Sequence, residues 1–190
     1  MSTKTKFIQS TGEFFHIYNR GVNKNEIFFS ERNYLYFHQR MMNAHNPAAV
    51  EIIVYCLMPN HFHFILRQLQ PSAISDFLKD VCDGYVKAIN NERSRSGHLF
   101  EGKYKMKHIN SDEYLLHLSR YIHLNPVRAK LVSSAEEWLY SSCREYYGLQ
   151  QSKMVSTKVV LEQFGSSKEY RKFIEEYVPK DKVKIRNLLF

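Results

Sequence analysis

The sequence predicts an α+β sandwich, with antiparallel strands backed by helices, on three observations. Runs with a period of two alternate with runs of helical period in the order strand, helix, strand, strand, helix, strand, helix. The two central strands are separated only by a tight turn, which makes them a hairpin. The first six elements in that order form a split βαβ unit, to which the last helix is an addition, and no internal repeat interrupts the pattern.

Each element follows from its residues. Phe14-Phe15-His16-Ile17-Tyr18-Asn19 is aromatic and β-branched and stops at Arg20-Gly21, so it reads as a first strand. Ser30 is placed to cap a helix, with Asn33 at the capping-box position. Tyr34, Phe37, His38, Met41 and Met42 then recur at helical spacing until Asn46-Pro47 stops the run. Glu51 to Leu57 and His61 to Arg67 are two strands about the turn Met58-Pro59-Asn60. Pro71-Ser72 opens a second helix whose apolar face is Ile74, Phe77, Leu78, Val81, Tyr85 and Ile89. Leu99 to Ile109 returns to period two, with Phe100, Tyr104 and Met106 on one face and Glu101, Lys103, Lys105 and Lys107 on the other, which predicts a strand with a basic outer stripe. Asp112 to Leu124 is a third helix, capped by Ser111 and ended or kinked by Pro126. Beyond Gly148 the pattern weakens into a short apolar run and a Lys- and Glu-rich helical stretch from Ser167 to Tyr177. The expected organisation is therefore one domain over 1–148 followed by a basic helical tail over 149–190.

Composition bounds the function. With 44% apolar and 24% charged residues the chain is globular, and a net charge of +8 favours a polyanionic partner. No run approaches the roughly 20 apolar residues that span a bilayer. Met1 to Ser10 has lysines but no apolar signal core, so a soluble, cytoplasmic protein is expected. Cys56, Cys82 and Cys143 are odd in number and widely spaced, which predicts reduced, buried thiols instead of disulfides or a thiolate zinc site.

Two constellations carry chemistry. In His61-Phe62-His63 the imidazoles point to one side of a strand and Phe62 to the other, giving two convergent donors of a metal site or a pair of hydrogen-bonded histidines. In the third helix Tyr114, His117, Tyr121 and Asn125 fall on one stripe at spacings of three and four, bringing hydroxyl, imidazole and carboxamide to a single face. Lys103, Lys105, Lys107, Arg20, Arg93, Arg95, Arg128 and Lys130 are candidates for phosphate contacts, with Tyr104 and Phe100 available to stack on bases.

From about Glu13 to Tyr147 the chain resembles the single-tyrosine HUH transposases, in particular the REP-associated tyrosine transposases of the IS200-like superfamily. Five stretches in order carry the resemblance. They are His16-Ile17-Tyr18-Asn19-Arg20-Gly21 with Ile27-Phe28-Phe29, Met58-Pro59-Asn60-His61-Phe62-His63, Gly97-His98-Leu99-Phe100-Glu101-Gly102-Lys103-Tyr104-Lys105, Tyr121-Ile122-His123-Leu124-Asn125-Pro126-Val127-Arg128-Ala129, and Trp138 with Tyr140-Ser141-Ser142. The resemblance implies a ferredoxin-like fold with an added catalytic helix. It implies a divalent cation, Mg²⁺ or Mn²⁺, on His61 and His63, and a nucleophile at Tyr121. Asn125 would be the third ligand, with His117 competing for that role.

The implied activity is cutting and rejoining of single-stranded DNA through a 5′-phosphotyrosine, with single-stranded or hairpin DNA as partner and Arg20, Lys103, Lys105, Lys107 and Arg128 contacting it. A homodimer, with Tyr121 acting in cis or in trans, fits the same pattern. Three alternatives stand beside this expectation. One is a derivative that binds hairpin DNA without cutting it. Another is a relaxase or replication initiator, whose tyrosine commonly precedes its histidines, whereas Tyr121 follows them. The third is a metal-dependent hydrolase that forms no protein–DNA adduct.

Overall fold

The computed structural model describes residues 9–176. The lysine-bearing N-terminus up to residue 8, the expected end of the last helix at Tyr177 and the rest of the tail lie outside those residues. Four strands, β1 (Phe14–Arg20), β2 (Val50–Met58), β3 (His61–Gln68) and β4 (Lys105–Ile109), form one antiparallel sheet in the order β2-β3-β1-β4. The hairpin β2–β3 is the one expected from the Met58-Pro59-Asn60 turn, and β3 lies between β2 and β1 at the sheet centre.

The helices divide between the two faces. α1 (Glu31–Ala44) and α2 (Ala73–Glu92) cover one face with Phe37, Met41, Ile74, Phe77, Val81 and Tyr85, packed on Phe15, Ile17, Phe62, Phe64 and Leu66 from the sheet. The added helix α3 (Asp112–His123) crosses the opposite face, where Leu115, Leu118 and Ile122 meet Ile53, Val54, Cys56, Met58 and Ile65. Strand alternation produces this division: a side chain at an even position of β1 pairs across with one at an odd position of β3, and the two point the same way. At Ile52/Val54 a bulge adds Ile53 to β2, so Ile52 remains in the first core while Ile53 and Val54 both enter the second.

The capping expectations hold at one helix and are modified at another. Ser111 Oγ accepts from Tyr114 N at 3.2 Å, as an N-cap should. At α1 the Ser30 side chain makes no capping bond; Asn33 Oδ1 instead accepts from Phe29 N at 3.0 Å, reaching one residue further back than a capping box. Pro126 neither simply ends nor bends α3: Leu124 closes it, and α4 (Asn125–Arg128) restarts as a single turn with the proline in its first positions, where a missing N–H costs nothing.

One strand is shorter than expected. Residues 99–104 do not extend β4. Phe100 makes an isolated bridge to Gly21, Glu101 N donates to Arg20 O at 2.9 Å, and Gly102 takes a φ of 120°, a region closed to most side chains. Lys103 therefore stands on a loop. The register Tyr18↔Lys105 and His16↔Lys107 turns Lys105, which stays exposed, and half-buried Lys107 toward the α3 face.

The outer edge of β2 is closed by residues 138–142, with Leu57 N donating to Tyr140 O at 2.9 Å and the Trp138 indole N–H donating to Leu57 O at 2.9 Å. Two short helices, α5 (Cys143–Tyr146) and α6 (Lys158–Leu161), lead to α7 (Ser167–Glu175), which lies against α3. After Gly148 the chain still contributes Val160, Tyr170 and Ile174 to the second core. Cys56, Cys82 and Cys143 are free thiols. No described helix is long and apolar enough to cross a membrane.

Candidate active site

The α3 face of the sheet opens into a cleft of about 570 Å³, lined by His16, Tyr18, Asn19 and Arg20 of β1, His61 and His63 of β3, Lys105 of β4, Lys24, Asn60, Glu101 and Lys103 of the flanking loops, and Tyr121 and Asn125 from α3 and α4. Of the residues expected from sequence, His61, His63, Tyr121, Asn125, Arg20, Lys103 and Lys105 meet here. Lys107 and Arg128 are not among its walls.

The two strand histidines share one side, with ring centroids 5.1 Å apart, and Phe62 between them enters the opposite core, as period two requires. Burial pushes His61 down to about 4 and, with help from the neighbouring His16 and His61, holds His63 well below the ordinary imidazole range. Both are neutral at pH 7, the form that can hold a cation. Asn60 Oδ1 lies 2.6 Å from His61 Nδ1, and His16 Nε2 lies 3.0 Å from His63 Nδ1, so each ring is anchored from behind through Nδ1.

Tyr121 reaches the cleft from the helix side, its ring edge-on to His63 at a centroid separation of 5.8 Å. The Arg128 guanidinium lies 4.9 Å from the Tyr121 ring centroid and packs over its face. Arg20 forms a two-point ion pair with Glu101 at the rim, so its charge is shared with a carboxylate. The Asn125 Nδ2 atom is buried with no hydrogen-bond partner. The O and N of a carboxamide exchange by a half-turn, so this group can present an acceptor oxygen at the same place.

The competing third donor, His117, is not in the cleft. Eight residues separate it from Asn125, about 12 Å along a helix. Its Nδ1 pairs with Arg120 at 2.9 Å and its ring sits 5.9 Å from that of Phe173 on α7. Tyr114 is buried in the second core. His123, within the same motif as Tyr121, is structural: fully buried, it bonds the Tyr170 hydroxyl at 2.8 Å and Ser142 Oγ at 2.9 Å, tying α3 to α7 and to the segment beside β2. Burial lowers its pKa to about 3.

Residues 13–125, more than half of the chain, match the family model described as "Transposase IS200 like". The chain belongs to the IS200-like transposase family. Among solved structures this transposase is similar to one described as "Structure of the REP associates tyrosine transposase bound to a REP hairpin", with a TM-score of 0.63 and 12% identity over 78% of this chain and 93% of that one. At that identity the likeness is one of fold. No curated protein matches the sequence.

Sequence reasoning missed His16 and Tyr18 as walls of the transposase cleft. Their i, i+2 spacing on β1 was available as a signal, but only the register Tyr18↔His63 brings them beside the histidine pair. Glu101 was visible within the basic stripe, and its pairing with Arg20 depends on the loop that replaces the start of the expected strand. Among the described residues no group of three or more His, Cys, Asp or Glu side chains is arranged to hold a metal ion.

Proposed function

We propose that this transposase cuts and rejoins single-stranded DNA through Tyr121, which forms a 5′-phosphotyrosine and releases a 3′-hydroxyl. The observation that carries the proposal is the edge-on approach of Tyr121 to His63 over an open, basic cleft. A phenol is a weak nucleophile while protonated, and it needs a partner that offsets charge on the phosphate as the new bond forms. Lys103 and Lys105 line the cleft and would hold the phosphates on either side of the cut, and Arg128 fixes the plane of the Tyr121 ring. The Tyr121 hydroxyl loses its proton as its oxygen attacks phosphorus, the bond to the 3′-oxygen breaks, and that oxygen takes up a proton, so the net step exchanges one O–H for another. The phosphotyrosine keeps the energy of the broken diester, so a 3′-hydroxyl arriving in the cleft reverses the step and reseals the strand.

The residues present fit a divalent cation. His61 and His63 are neutral, share one side and are braced at Nδ1, and Asn125 brings a half-buried carboxamide whose Nδ2 has no hydrogen-bond partner. Mg²⁺ or Mn²⁺, the cations that the family resemblance favours, would rest on His61, His63 and the Asn125 oxygen. When bound, it would offset the negative charge that grows on the non-bridging phosphate oxygens. Because Tyr121 and His63 of one chain already face each other, the reading makes Tyr121 act in cis, with no second copy needed to complete the site.

The test is a denaturing gel of protein incubated with Mn²⁺ and a single-stranded oligonucleotide carrying the element's own hairpin and end, labelled 3′ of the cut. Wild type should give a slow-migrating adduct that EDTA and His61→Ala prevent. Cleavage without an adduct in any variant would replace the reading with water-based hydrolysis. Tight hairpin binding with no cleavage would make the protein a non-cutting derivative.

A further inference from the structure

His16 is a wholly buried histidine that takes no direct part in the proposed bond making and breaking. It forms a triangle of rings with two neighbours on the cleft face, 4.8 Å from the Tyr18 ring centroid and 5.2 Å from that of His63, nearly parallel to the latter at 19°. Its Nε2 is 3.0 Å from His63 Nδ1, and its own Nδ1 is buried with no hydrogen-bond partner. Of all the contacts in the cleft, this one fixes a histidine by another histidine.

We infer that His16 is a positioning residue for His63, fixing its ring and deciding which of its nitrogens offers a lone pair to the cleft. A neutral imidazole carries a single N–H, and the partner of one nitrogen dictates the state of the other. If His63 Nδ1–H donates to His16 Nε2, the bare Nε2 of His63 is left for the cleft. If His16 donates instead, His63 keeps its proton on Nε2 and can hold no cation there.

The first arrangement matches His61, whose Nδ1 is met by the Asn60 side-chain oxygen at 2.6 Å, so both histidines of the pair are braced alike. His16 bears the cost, because its own proton then sits on Nδ1 without an acceptor, and such an orphan persists where the surrounding structure uses it. The sequence reason is spacing: β1 offers His16 at the position whose side chain shares a face with His63 one pair away in the register Tyr18↔His63.

The inference rests on the reading that His61 and His63 hold a divalent cation, and the experiment separates the two. In ¹⁵N-histidine-labelled, metal-free protein, protonated and bare ring nitrogens differ widely in ¹⁵N shift, so the His63 tautomer is read directly. Wild type should show His63 protonated at Nδ1 and bare at Nε2. His16→Phe should turn this into a mixture, and His16→Gln, whose carboxamide oxygen can accept, should restore it. Mn²⁺ binding followed by electron paramagnetic resonance should weaken about 10–100-fold in His16→Phe and recover in His16→Gln. A His63 that carries its proton on Nε2 in wild type overturns the inference, as does a His16→Phe variant with unchanged shifts and unchanged Mn²⁺ affinity, even if its thermal stability falls. If wild-type Mn²⁺ binding is indifferent to His61→Ala, the cation reading fails, while the tautomer measurement still decides the role of His16.

Discussion

The two faces of one sheet follow opposite rules. On the α1/α2 face the strands contribute Phe15, Ile17, Phe62, Phe64 and Leu66 to a core of aliphatic and aromatic rings. On the α3 face the neighbouring positions of the same strands contribute His16, Tyr18, His61 and His63, and the apolar core lies beside them, where Ile53, Val54, Cys56, Met58, Ile65 and Ile109 meet α3. Successive residues on β3 therefore serve different ends: Phe62 fills the core, and His61 and His63 are held neutral in a cleft. A face packed with rings is spent on stability, and only a face left partly open can keep polar groups both desolvated and reachable.

The strongest way to break the comparison is at the nucleophile. Tyr121→Phe should reduce adduct formation to background while leaving the thermal transition and DNA affinity nearly unchanged, since one oxygen is lost and the ring remains. Tyr114→Phe, in the packed part of the same helix, should still form adduct. The reverse pattern on the gel would move the nucleophile two helical turns.

Next comes the pair Phe62 and His63. Phe62→Ala should cost about 3–5 kcal/mol in urea unfolding, because it empties a fully buried aromatic site. His63→Ala should cost clearly less and yet abolish Mn²⁺-dependent cleavage. Equal losses of stability would mean that the functional face is as much a packing core as the other.

Acid sharpens the contrast. The His123 pKa lies at about 3 when folded, against about 6.5 when unfolded. Between those values the unfolded chain binds the extra proton, so stability is intact near neutrality and falls as pH drops below about 6.5, by about 1.4 kcal/mol per pH unit for this one group. Urea midpoints measured from pH 7 to pH 5 should fall more steeply for wild type than for His123→Gln, and parallel lines would remove the histidine from the account.

The smallest effect concerns the basic residues. Replacing Lys103 and Lys105 by Ala should each flatten the dependence of single-strand binding on log salt by about 0.7. Lys107, outside the cleft walls, should change it less; an equal change would extend the DNA path along the whole of β4.

Much of this molecule was written in local pattern. The alternation of β1 and β3, the tight turn between β2 and β3, the Ser111 cap and the placing of His61 and His63 on one side all follow from backbone periods that any unbroken run of residues must obey. The five ordered motifs pointed to the family before any coordinate did. Tertiary structure decided the rest, because register, loop path and helix placement depend on residues far apart in the chain. Only the pairing of β1 with β3 put His16 behind His63. Only the turn at Gly102 took Lys103 off the strand, and only the β1–β4 register turned Lys105 toward the histidines. That Asn125 and not His117 lines the cleft was likewise decided by where α3 lies on the sheet: a helical stripe fixes the direction of its side chains, but which turn of the helix meets the cleft is set by packing.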